Sequence, residues 1–68
     1  MVDVAKARRE GMRWNLIQTL NKMRPHTTGE NFLLDIMRGI YPDATALEIR
    51  RELDYLESRQ LVEIVKQP

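Results

Sequence analysis

Twice in this chain a threonine stands three residues ahead of a glutamate at the head of an apolar run: Thr27-Thr28-Gly29-Glu30 and Thr45-Ala46-Leu47-Glu48. In such a capping box the threonine hydroxyl accepts from the glutamate amide, and the glutamate carboxylate reaches back to the threonine amide. Each box fixes the start of a helix. Arg24-Pro25 closes whatever precedes the first box, because a residue before proline avoids the α region. Pro42-Asp43 makes a turn before the second. The centre of the chain is therefore confined to two capped helices joined by a tight turn.

Spacing of the apolar residues assigns the buried faces. Met12, Leu16, Leu20 and Met23 recur at helical intervals and predict a helix from about Met12 to Met23. Extended backwards, that stripe meets Arg9 at its centre and Arg13 at its edge, so burial is expected to begin near Met12. Gly11 costs a helix about 1 kcal/mol relative to alanine. Residues 1–11 thus read as a basic N-terminal arm or helix extension, and residues 12–68 as the domain. Phe32, Leu33, Ile36, Met37 and Ile40 line one face of the second helix, which is expected to end near Gly39 in a left-handed position. Ile49, Leu53 and Leu56 line the third, to about Arg59. Leu61-Val62-Glu63-Ile64-Val65 is rich in β-branched residues and predicts a strand. The expected core is Leu16, Leu20, Met23, Phe32, Leu33, Ile36, Ile40, Ile49, Leu53, Leu56, Leu61 and Ile64.

Composition narrows the function classes. Apolar residues are 43% and charged residues 31%, a globular balance. The chain has no cysteine, which removes disulfides and thiolate zinc sites. His26, the only histidine, cannot supply three or four convergent ligands, so neither a metal nor a cofactor is expected. There is no glycine-rich phosphate loop and no nucleophile beside a base in a motif. Asp54 and Glu57 have the spacing of an ordinary solvated face. An enzyme or a small-molecule substrate is not expected. No apolar run approaches the roughly 20 residues that span a bilayer, and a cytoplasmic protein is the default expectation.

Leu53, Leu56, Leu61 and Val62 carry a resemblance. A Leu-x-x-Leu in the third helix, a charged turn and a Leu-Val pair opening a strand look like the recognition helix and first wing strand of a winged helix-turn-helix domain. The resemblance spans roughly Met12 to Val65, and the compact size resembles small winged-helix proteins of Mu-like phages and prophages. It implies a mostly α fold, with three helices and a short C-terminal strand. Gln60 sits where the family often has glycine, at the left-handed position closing the helix. A wing needs a second strand, so the wing is expected to be truncated or absent. Pro25 to Thr28, or the same strand of a second copy, is then the expected pairing partner.

The resemblance implies a small regulator of transcription that binds double-stranded DNA, acting as a homodimer. Arg50 and Arg51 are candidates for guanine or phosphate, and Thr45 and Tyr55 for phosphate. Arg8 and Arg9, on the basic arm, are candidates for following a groove. Charge divides along the chain, at +4 over residues 1–25 and −3 over residues 26–68, for a total of +1. Against DNA, Thr45 to Gln60 holds three arginines and four acids, and phosphate attraction dominates non-specific affinity. Trp14 and Ile17, off the main stripe, are candidates for a dimer interface; packing of Trp14 on Leu34 or on the strand is the other reading. Leu34 and Leu47 are further apolar residues off the core faces. A protein-interaction module without DNA binding is the alternative function.

Overall fold

In a computed structural model, residues 2–64 are described and form three helices: α1 (Val4–Met23), α2 (Glu30–Ile40) and α3 (Ala46–Ser58). Each packs on the other two. Their shared core is Met12, Leu16, Leu33, Met37, Ala44, Ile49, Leu53 and Leu56. The mostly α, three-helix architecture matches the expectation. None of these helices is long and apolar enough to cross a membrane.

α1 begins well before Met12. Asp3 caps it, accepting from the Lys6 amide at 3.1 Å, and the helix runs unbroken through Gly11. That glycine has a packing role. A Cβ there would stand 2.7 Å from the Tyr41 hydroxyl, closer than a Cβ carbon approaches another heavy atom, so the missing side chain lets the tyrosine lie against the helix.

The two threonine boxes part company. Thr45 caps α3, its hydroxyl accepting from the Glu48 amide at 3.2 Å. At α2 the N-cap is Gly29, with no side-chain hydrogen bond. The expected Thr27–Glu30 box does not form there, because the helix starts at Glu30 with Gly29 as its cap, which leaves Thr27 outside the first turn; the Glu30 carboxylate pairs with Arg50 of α3. α2 also continues past Gly39, which keeps a negative φ, to Ile40.

Phe32, Ile40 and Leu61, expected in the core, are about half exposed. The buried line of α2 is Leu33 and Met37, and Phe32 sits about 100° round the helix from Leu33. Ile40 lies in the last turn, at the edge of the packed layer. Leu20, Met23, Ile36 and Ile64 are half-buried. Met12, Met37 and Ala44 take the central places left over.

The expected C-terminal strand is not found among the described residues, where Leu61 to Ile64 are irregular and Pro25 to Thr28 forms no bridge; Val65 lies outside the described residues. The chain leaves α3 through a Schellman turn, with Gln60 N–H donating to Glu57 O at 2.9 Å and Leu61 N–H to Leu56 O at 3.0 Å. Gln60 holds the left-handed position expected of it, at a φ of 61°. Next, the Ile64 amide donates to the Glu57 carboxylate at 3.2 Å. Val62 and Ile64 pack against the core. Side-chain capping and apolar contact satisfy this segment in place of a ladder.

Candidate functional site

α1 and α3 lie side by side, running in the same direction, and their seam is zipped by charge. The Arg8 guanidinium donates through Nε to Glu48 Oε2 at 2.7 Å and through Nη2 to Glu48 Oε1 at 3.0 Å. Its Nη1 meets Asp43 at 2.9 Å. One step along, Arg13 Nε donates to Glu52 Oε1 at 2.7 Å. Each guanidinium also lies over a tyrosine ring: Arg8 is 5.1 Å from the Tyr41 centroid and Arg13 3.7 Å from that of Tyr55.

These contacts set the local electrostatics. The hydrogen bond from Arg8 is the main cause holding the Glu48 carboxyl below its ordinary value, with smaller help from the Thr45 amide. Because both Glu48 oxygens go to Arg8, the glutamate half of the box is only a minor partner of Thr45. Arg8 also holds the Asp43 carboxyl low. Its own pKa is raised, first by Glu48 and then by Asp43. Among the described residues Glu52 is the one buried charged side chain, at 5% exposure.

Above this seam lies a shallow groove of about 360 Å³, lined by Arg8, Arg9, Thr45, Leu47, Glu48 and Arg51 among others. Four of the six expected DNA-contact residues meet there: Arg8, Arg9, Thr45 and Arg51. Arg9 and Arg51 are exposed and form no ion pair among the described residues. Thr45 accepts with its oxygen and keeps its own O–H free to donate. Arg8 is not free, since three of its nitrogens are engaged.

The other two expected residues lie elsewhere. Arg50 is on the far flank of α3 and pairs with Glu30, which raises its pKa. Tyr55 is half-buried, with Arg13 on its ring and the Arg59 guanidinium 5.4 Å from its centroid. Of the two candidate interface residues, Trp14 is 62% exposed, while Ile17 is half-buried and packs on the core.

The acidic excess of α3 also changes meaning. Glu48 and Glu52 are covered by arginines from α1, and the Glu57 carboxylate is held by the Ile64 amide. At the N-terminal half of α3 the unpaired charges are Arg51 and, across the groove, Arg9. Sequence reasoning missed the Arg13–Glu52 pair. Its signal was present: Arg13 sits at the edge of the α1 stripe, and Glu52 falls between Ile49, Leu53 and Leu56 on that of α3.

Such a groove can bind an anion at its rim. Two unpaired guanidinium groups, one hydroxyl and the positive end of α3 suit phosphate oxygens. Among the described residues no group of three histidine, aspartate or glutamate side chains could hold a metal ion. The chain matches no protein family, no curated protein and no solved structure with which it was compared.

Proposed function

We propose that this domain binds double-stranded DNA through the α1–α3 face, as a small helix-turn-helix regulator of transcription of the phage or prophage kind that its sequence resembles. One observation carries the reading: Arg9 and Arg51 stand unpaired on either side of a groove that also holds Thr45 at the start of α3. Arg9, Arg51 and the Thr45 hydroxyl take backbone phosphates, and α3 is presented to the duplex by its first two turns. Arg8 and Arg13 act one step back. By covering Glu48 and Glu52 they remove the repulsion that an acidic helix would otherwise bring to phosphate.

Fluorescence anisotropy with a random duplex at several salt concentrations tests this. Binding should weaken steeply as salt rises. Arg9→Ala/Arg51→Ala should lower affinity for every sequence alike and reduce the salt slope by about two. Arg50→Ala should change it little, since Arg50 is paired with Glu30 on the other flank.

A second reading has its own support. Trp14, Leu47 and Leu61 are each more than half exposed, more apolar surface than a chain this small needs to leave in water. A protein-interaction module on the same scaffold follows if no duplex is bound even at low salt.

A further inference from the structure

On the other flank of α3 a larger groove, of about 830 Å³, opens between the C-terminal half of α1, the connection into α2 and the segment after α3. Its floor is apolar, with Ile17, Leu20, Leu33 and Leu53. Its rim carries Leu61, 55% exposed. Besides Arg50 and Glu30, which pair with each other, it carries a second cation and a second anion, Arg24 and Glu63. Both are exposed, and neither forms an ion pair with the other or with any described residue. Thr28, whose hydroxyl oxygen is buried without a hydrogen-bond partner, lines the same groove.

We infer that this groove is an interface between two copies of the chain. Across a two-fold axis the same patch meets itself, so each residue must find its complement on that one patch. The groove meets the requirement: it holds both an apolar hollow and an apolar knob, and both a cation and an anion that have no ion-pair partner among the described residues. Leu61 of each copy lies over the apolar floor of the other, and Glu63 of each meets Arg24 of the other, twice over. The backbone carbonyls of the incoming segment give the Thr28 hydroxyl the acceptor it lacks among the described residues of its own chain. Complementary charge on one surface is what favours a second copy over an unrelated protein. Of the two side chains expected at a dimer interface, Ile17 is part of this floor and Trp14 is not among the groove's lining residues.

Sedimentation equilibrium of the 68-residue chain, from micromolar to near-millimolar concentration, tests the inference. The wild-type mass should climb from 8.0 kDa towards twice that. Glu63→Arg and Arg24→Glu should each weaken self-association by about tenfold, and the double reversal should restore most of it. Leu61→Ser should weaken it with no change in charge. All three residues are exposed, so circular dichroism should show unchanged helix content. A mass of 8.0 kDa at every concentration overturns the inference. So do single reversals that associate like wild type, or a double reversal that stays weak.

Discussion

The two halves of α1 are held to the rest of the molecule by different forces. From Met12 onward the helix is anchored by apolar burial, with Met12 and Leu16 fully enclosed and Ile17 and Leu20 packed beside them. Ahead of Met12 none of the described residues is buried, yet the helix stays on α3. Arg8 clamps Glu48 and Asp43 and lies over Tyr41. A helix with no amphipathic stripe over its first two turns can thus still belong to a fold, provided charge and aromatic stacking replace the missing apolar face. The two forces differ in what disturbs them. Apolar burial is insensitive to salt and pH, whereas partly exposed ion pairs weaken with both.

The largest effect should come from the apolar half of this comparison. Leu53→Ala, at the contact of α3 with the core, should cost about 2–5 kcal/mol in chemical denaturation. Leu61→Ala, also a leucine but half exposed, should stay within about 0.5 kcal/mol. Equal losses would erase the distinction between core and rim.

Arg13→Ala comes next. It leaves Glu52 buried without its partner and should cost about 1–3 kcal/mol. Arg13→Met/Glu52→Leu should recover much of that, since an apolar pair of similar volume replaces a buried ion pair well. If the single change is silent, the charged seam contributes nothing to stability and the contrast fails.

The threonines sharpen the comparison at the helix starts. Thr45→Ala should cost about 1 kcal/mol, the loss of a working cap. Thr28→Val should not destabilise, because the hydroxyl it removes has no hydrogen-bond partner among the described residues. Gln60→Gly should gain up to about 1 kcal/mol, since glycine takes a positive φ without the Cβ clash.

The smallest effect is local. The Glu48 and Asp43 carboxyls lie below their ordinary values of 4.5 and 3.8 when the chain is folded. A depressed carboxyl stabilises the fold above its ordinary value, and that contribution is lost as pH falls through the folded one. In acid, residues 4–11 should therefore lose amide-exchange protection before residues 12–23. Simultaneous loss would mean that the two halves of α1 are not separately held.

Much of the fold was legible in the sequence. Thr45, the Arg24-Pro25 stop and the Ile49/Leu53/Leu56 stripe are local signals with local outcomes. The left-handed position of Gln60 was implied by the resemblance, which places a glycine there, and its φ of 61° agrees. The first threonine box misled, because the helix begins at Glu30 with Gly29 as its cap and leaves Thr27 outside its first turn. The strand misled for a related reason. β-branched residues make a strand only where a ladder exists, and after Gln60 the chain satisfies itself on Glu57 and the core. Of the candidate groove, Arg8, Arg9 and Arg51 were named from the sequence but not their division into paired and unpaired, which depends on partners about 40 residues away in the chain.

By itself, the sequence determined three helices, their order and most of their ends, because caps, proline stops and apolar spacing act within a few residues. Tertiary structure alone decided that Arg8, Arg13 and Arg50 spend their charge on Glu48, Glu52 and Glu30 while Arg9 and Arg51 keep theirs for a groove. It also decided that Gly11 makes room for Tyr41. A guanidinium carries the same charge wherever it stands in the chain. Whether that charge is available depends on which carboxylate lies within about 3 Å of it, and only the packing of one helix on another settles that distance.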